Sequence, residues 1–385
     1  KKIVEHQGIF LPEGNLFEAI ALIVSGTIGA GVLGIPFAVA KVGIFFGILY
    51  IVALGFLMMG LNLLLGEIAA RTKQHFQLAG LAGMYLGFFG KWIMTAIAYA
   101  SMLGVLVVYI IGEGETLAAL LGGNSFTWSL VFLFVMSVPV VLGMRTIKVI
   151  EFVLTLAILA VVLLIVMWSA PYVEWSHISY HNPAYIFFPY GVILFAFSGS
   201  AAVPEAHSIL AHKDLEFKKA IMYAAIITTV VYSLFAFITV GVTGAQTTEI
   251  ATVGLGQKLG PWMFVLGNVF AVLAMATSFL MTALALRDSM AWDFKVKQSL
   301  SNVLVLGLPL LVFVLGIRQF IAAIDFVGGV LISAQLLLII LIYLRAKQMG
   351  HLEKSKYNLH NTLWLVLLLV LAFSVGALYS VFKLF

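Results

Sequence analysis

Residues 25–38 read SGTIGAGVLGIPFA, four glycines and a proline inside a run otherwise apolar enough to cross a membrane. Hydrocarbon satisfies no backbone hydrogen bonds, so a helix interrupted there must turn its freed N–H and C=O groups toward something else, typically a bound cargo. The interruption falls about ten residues from either end of a span at 17–42, near the bilayer midplane. Gly29 and Gly31 carry no side chain and let a small ligand approach the backbone. A half-helix restarting near Val32 would aim its positive end at an anion such as a carboxylate, with Pro36 in its first turn. The competing reading is a glycine-lined packing face between helices. The spacing Gly26, Gly29, Gly31, Gly34 is denser than a small-xxx-small stripe, which favours the broken helix.

A second interruption lies in YGVILFAFSGSAAVPEAHSIL, where Ser198, Gly199 and Ser200 break the apolar run and Pro204 follows Gly199 by five residues, as Pro36 follows Gly31. The two broken spans stand five spans apart and so run with opposite polarity, as an inverted repeat requires. Farther on, Thr277 and Ser278 sit in apolar surroundings. Their hydroxyls can bond back to their own helix or form a hard-oxygen site for a small cation. Tyr99 and Tyr109 in the third span are core tyrosines, or, if one faces the break, a ligand for a carboxylate. Glu113 and Glu115 are expected to face water or an outer vestibule, and Asp325 to be a vestibule charge beside a close-packed Gly328 and Gly329. Glu67 and Arg71, one turn apart, read as an interfacial ion pair. His177 and His181 have the spacing of metal ligands on a helix, but the Pro, Ser and Asn around them read as loop.

These residues sit on helices. The chain has 385 residues, 63% hydrophobic and 10% charged, with a mean hydropathy of +1.14, which excludes an ordinary soluble domain. Apolar runs of helical length recur without strand-period alternation, giving an all-α polytopic membrane protein. Eleven spans are expected, at 17–42, 44–69, 91–120, 127–143, 147–170, 184–211, 217–243, 260–286, 299–316, 319–345 and 361–383. The segment from Gln74 to Gly90 suggests an inner-surface helix, and QTTEIATVGLGQKLG a short gate helix in an outer loop. With the N-terminus cytoplasmic and the C-terminus outside, 17 of the 21 Lys and Arg fall on the inner side, leaving Lys41, Lys258, Arg318 and Lys383 outside. That asymmetry follows the positive-inside rule and accounts for the net charge of +5. It gives no support to nucleic-acid binding. The opening KKIVEHQGIF has no signal-peptide core, and with no cysteine there is no disulfide framework.

SGTIGAGVLGIPFA, FAFSGSAAVPE and ATSFLMTALALRD together resemble the amino acid/auxin permease family and the neighbouring bacterial tryptophan/tyrosine permeases, within the amino acid-polyamine-organocation superfamily. The likeness covers nearly the whole chain. It implies the leucine-transporter fold, a 5+5 inverted repeat (17–170 and 184–345) plus an eleventh transmembrane helix (361–383). By this resemblance the substrate site comprises Ser25, Thr27, Gly29, Ala30, Gly31, Tyr109, Phe195, Ser198, Gly199 and Ser200. Backbone at Gly29, Ala30 and Gly31 receives a carboxylate, carbonyls near Ser25 and around Ser198 receive an ammonium, and Phe195 acts as an aromatic gate. Thr277 and Ser278, with carbonyls of Ser25, Ile28 and Ala274, resemble a sodium site of sodium-coupled relatives. One departure is Ser200, which stands where many members carry the His of an FxGH motif.

The expected function is secondary transport of an L-amino acid across the plasma or inner membrane, coupled to sodium (Na+). Some proton-driven superfamily members place a Lys of the fifth helix in the sodium site, whereas here that helix reads TLAILAVVLLIV. A proton-coupled symporter is the alternative, and an amino-acid-binding membrane sensor the alternative of another class. An enzyme would need a nucleophile or acid–base cluster, and a channel a polar stripe or charged ring; neither is visible. The expected partners are the amino acid, the coupling cation and membrane lipid, with no obligate protein partner.

Overall fold

The computed structural model of the chain describes residues 4–6, 9–11, 15–72, 76–142, 148–210, 213–349 and 356–383. Five of the inner-side cations counted above, Lys1, Lys2, Lys73, Arg145 and Lys354, lie outside the described residues. A two-strand antiparallel ribbon, β1 (Val4–His6) and β2 (Ile9–Leu11), precedes a helical body. Asn15 begins that body by accepting the Glu18 N–H at 2.9 Å, a side-chain N-cap with an acid in the first turn.

The first expected span is two helices, α1 (Leu16–Thr27) and α2 (Gly31–Val42), bent by 60°. Then come α3 (Ile44–Arg71), α4 (Leu78–Leu121), α5 (Ser125–Leu142) and α6 (Lys148–Ser169). A short α7 (Trp175–Ile178) leads to the second broken span, α8 (Pro189–Ala196) and α9 (Ala202–Ile209). The remainder is α10 (Asp214–Thr243), α11 (Ala251–Leu259), α12 (Pro261–Asp293), α13 (Gln298–Val314), α14 (Phe320–Phe326), a π-helical turn (Val327–Ile332), α15 (Ser333–Met349) and α16 (Leu363–Phe382). Helix occurs in each of the eleven expected stretches. Among the described residues seven helices are long and apolar enough to cross a membrane, eight with the bent α1–α2 pair counted as one span.

Two details depart from expectation. The inner-surface helix is continuous with the third span, joined through Gly87 at φ 75°, a left-handed value that glycine adopts without strain. The exposed Phe88, Phe89 and Trp92 follow directly, as aromatics at a membrane–water boundary do. Pro36 lies inside α2 and not in its first turn, because the helix restarts at Gly31. Ala30 already has helical dihedrals there, and side-chain-free Gly31 packs against Ala196.

Charges expected at interfaces are instead built into the body. Asp325 is buried, its Oδ2 paired with Lys383 Nζ at 2.6 Å, because α14 packs directly on α8 at Gly191 and leaves no vestibule there. Lys383 also lies 4.4 Å over the Phe188 ring, so the end of α16 is tied to α14 and to the start of α8. Gly328 and Gly329 are close-packed as expected, against Gly191 and Ser380. Glu67 is paired with Arg71 at 2.7 Å, but it is fully buried and also accepts from the Tyr343 hydroxyl at 3.0 Å. Tyr357 donates to the Leu63 carbonyl at 3.0 Å, and burial, reinforced by the Glu67 carboxylate, pushes its phenol well above the ordinary value. This cluster joins α3 to α15 and to the stretch before α16. Glu67→Ala removes the carboxylate that Arg71 and Tyr343 share, so the thermal midpoint in detergent should fall by the equivalent of about 2–3 kcal/mol, the weight of charged hydrogen bonds.

Candidate functional site

The first break leaves a definite set of backbone groups unpaired. The Ile28 N–H still reaches the Val24 carbonyl at 2.8 Å, and Ile28 itself is extended (φ −82°, ψ 100°). Among the described residues, no amide returns to the carbonyls of Ser25, Gly26 or Thr27. On the other side Val32 and Leu33 donate to Gly29 and Ala30 at 3.3 and 3.0 Å. The N–H groups of Gly29, Ala30 and Gly31 have no backbone acceptor among the described residues. Acceptors therefore end α1 and donors begin α2, the complement of a group carrying both a cation and an anion.

The second break is built similarly. Phe197 and Ser198 donate back to Ile193 and Phe195, each at 3.1 Å, and α9 restarts at Ala202 with Pro204 in its first turn, where no amide is needed. The breaks touch: Gly199 lies against Thr27, and a Cβ on Gly31 would sit 2.6 Å from Ala196 Cα and 3.0 Å from the Phe195 ring. One on Gly26 would sit 2.8 Å from Ala202 Cβ. Both readings of the glycine cluster thus hold, at different positions. Gly26 and Gly31 are needed for packing, while Gly29 faces two hydroxyls, Tyr109 Oη at 3.3 Å and Ser278 Oγ at 3.7 Å from its notional Cβ.

Most other hydroxyls of the expected site serve their own helices. Ser25 donates to Leu22, Thr27 to Ile23 and Ser198 to Phe195, at 2.9, 2.7 and 2.5 Å. Thr277 donates to Leu273 at 2.8 Å and Ala274 at 3.1 Å. Ser200 is turned to Asn62 of α3, at 2.8 Å. Phe195 is buried between α2 and the π-helical turn, over the start of α2. The structure therefore gathers Gly29, Ala30, Gly31, Tyr109, Phe195 and Ser278 at the first break, with Thr27 and Gly199 at the crossing. Thr277 and Ser200 face elsewhere.

Accessibility is one-sided. Residues 31–36 and all of α8 are buried, whereas Gly26 and Ala201 are exposed and Ser25, Thr27, Gly29 and Ser198 half-buried. The site is open at the end of α1 and at Ala201, just before α9, and sealed along α2 and α8. The seal includes the Asn182 N–H on the Val42 carbonyl at 2.9 Å and the Glu249 carboxylate accepting from the Ile321 N–H at 3.1 Å. The expected gate helix, α11, adjoins this side, following Glu249.

Three features escaped the sequence reading. Tyr232 of α10 donates to Ala196 and Thr27 carbonyls at 2.7 and 3.0 Å; the only signal was a polar group in an apolar run that also holds Thr228, Thr229 and Ser233. Asn62 has the same weak signal. Glu113, expected in a vestibule, is fully buried one turn beyond Tyr109 against the α12 backbone at Ala276, and neither of its oxygens has a hydrogen-bond partner among the described residues. It points between α4 and α12, where closely packed helices exclude water. His177 bonds the Gly241 carbonyl at 2.9 Å, and no group of three or more His, Asp or Glu residues assembles among the described residues.

Two interrupted helices crossing at mid-body, open to one side only, define a multi-pass membrane protein of the transporter class. Solved structures share its fold. MhsT in complex with L-phenylalanine superposes with a TM-score of 0.63 at 13% identity, covering 95% of this chain and 97% of that one. A manganese transporter of Eremococcus coleocola in complex with an aromatic bis-isothiourea compound gives 0.66 at 15% identity, covering 97% and 88%. The fold is the leucine-transporter fold. The chain belongs to the tryptophan/tyrosine permease family, whose sequence model matches residues 13–380. Curated relatives include glutamine transporter 2 of Aliivibrio fischeri, 25% identical over 358 residues (88% of this chain, 91% of the relative). Tyrosine-specific transport system 1 of Haemophilus influenzae is 26% identical over 331 residues (80% and 82%).

The two roles of the glycines separate experimentally. Gly31→Ala forces a Cβ into Ala196 and should cost about 1–3 kcal/mol by overpacking. Gly29→Ala needs only the Tyr109 hydroxyl, 3.3 Å from the added Cβ, to give by a few tenths of an ångström, and should cost less, about 1 kcal/mol or under. Thermal midpoints of the purified variants check the difference.

Proposed function

We propose that the chain is a secondary active transporter that carries L-amino acids across the cell membrane by alternating access, in symport with sodium. The observation carrying this reading is the first break itself, with unpaired donors at α2, unpaired acceptors at α1, and Tyr109 and Ser278 converging on Gly29. The N–H groups of Gly29, Ala30 and Gly31 take the carboxylate, helped by the Tyr109 hydroxyl. Carbonyls near Ser25 and Ser198 take the ammonium. Thr27 and Gly199 shape the crossing, and Phe195 closes over the substrate.

Sodium enters as co-transported cargo between α1 and α12. The carbonyls of Ser25 and Ile28 are without amide partners and Ser278 already reaches the break, which suits a hard cation. Thr277 joins the shell, with the Ala274 carbonyl, by turning away from Leu273. Binding there ties α1 to α12 and preorganises the carboxylate site. A tenfold sodium gradient and a 100 mV potential together supply about 3.7 kcal/mol, enough for several hundred-fold accumulation. The chain then lies in the plasma or inner membrane with its N-terminus cytoplasmic, so the open side at the end of α1 faces inward. The two five-helix repeats, 17–170 and 184–345, rock about this site, with the helix at 361–383 outside them.

One observation favours proton coupling instead. Glu113 supplies, next to Tyr109, the buried carboxyl that a proton-driven carrier needs and that the sequence did not reveal. Uptake of a panel of labelled amino acids into proteoliposomes, under a sodium or a proton gradient, decides. Under sodium symport, Thr277→Ala lowers sodium-driven uptake at least tenfold and Glu113→Gln leaves the driving ion unchanged. Proton-driven uptake that ignores Thr277→Ala and is lost in Glu113→Gln selects the alternative. Tight binding of an amino acid without uptake under either gradient selects the sensor.

A further inference from the structure

Tyr232 lies at the middle of α10, fully buried, its ring edge-on to Phe197 at 5.0 Å. Its hydroxyl reaches two carbonyls that belong to different helices and have the same defect. Thr27 is the last residue of α1 and Ala196 the last residue of α8. Each carbonyl has lost its amide because its helix stops in the interior, and each stands at the negative end of a helix dipole. The hydroxyl donates to Ala196 at 2.7 Å and to Thr27 at 3.0 Å. One O–H proton thus serves the ends of both broken helices from a third helix that is continuous there.

We propose that Tyr232 is the positioning residue that holds the two breaks in register, so that the carboxylate-binding start of α2 and the acceptor-rich ends of α1 and α8 meet a substrate as one site. The inference rests on the transport reading above. The close contacts at the crossing, Gly199 on the Thr27 side chain and Gly31 on Ala196, are steric packing and set the distance between the breaks. They do not fix how the freed carbonyls are aimed. A directional hydrogen bond to each carbonyl does, and it accounts for a phenol at a position where packing alone asks only for a ring. Because the phenol has a single proton, the two carbonyls share it, and each keeps a lone pair for the space between the breaks.

Tyr232→Phe removes the hydroxyl and keeps the ring. In proteoliposomes of the full chain it should raise the substrate KM about tenfold, the weight of one hydrogen bond, while changing the maximal rate about twofold or less. Tyr343→Phe, which loses the hydrogen bonds to Glu67 and Thr362 far from the breaks, is the control for simple loss of stability. If Tyr232→Phe raises KM and Tyr343→Phe does not, at comparable loss of thermal midpoint, the positioning role stands. A parental KM in Tyr232→Phe, or equal rises in both variants, overturns it while leaving the transport reading intact. Where Tyr232→Phe does not fold, Phe197→Leu loosens the ring without touching the hydroxyl, and it should raise KM about threefold. An unchanged KM there also overturns the proposal. Absence of uptake in the parent overturns the transport reading and this inference with it.

Discussion

A membrane interior offers no water to a main chain that leaves its helix, so every amide and carbonyl freed by a break needs a partner from the protein or from cargo. This chain breaks twice, at Ile28 and at Phe197, and the arrangement around those points follows from where the freed groups go. Serine and threonine hydroxyls back-bond to carbonyls upstream, short i→i+3 bonds absorb the amides of Val32 and Leu33, and Tyr232 takes the two carbonyls at the helix ends. What remains unpaired is a compact group of donors beside a compact group of acceptors, at a point that reaches solvent from one side only.

The glycines make that geometry possible in two ways. Gly31 and Gly199 bring the breaks into contact, since a methyl group at either would drive them apart. Gly29 keeps a stretch of backbone bare beside Tyr109 and Ser278. Close packing and ligand access are often offered as rival explanations for glycine in membrane helices. Here neighbouring glycines divide the two tasks.

Charge is concentrated where one element is tied to another. Lys383 and Asp325 join α16 to α14 beside α8, Glu249 caps the start of α14, and Glu67 gathers Arg71 and Tyr343 at the opposite end. These pairs bind one element to another, and side chains carrying charge are nearly absent from the crossing itself. Glu113 is the exception, buried one turn beyond Tyr109 without a hydrogen-bond partner among the described residues.

The sequence alone determined the helical membrane class, the approximate limits of the helices, the two interruptions and the family, because each is written in local apolar runs, glycines, prolines and motifs. Gly29, Ala30, Gly31 and Tyr109 could be expected near the first break on the same basis, which is where they lie. Only the tertiary structure decided that Ser278 faces Gly29 while neighbouring Thr277 turns to its own helix, and that Ser200 is held by Asn62. It also placed Tyr232 between the breaks and buried Glu113 and Asp325. The physical reason is rotation. In a helix apolar on nearly every face, periodicity does not say which side meets a neighbour, so the partners of a lone hydroxyl or carboxylate are settled by how distant helices pack.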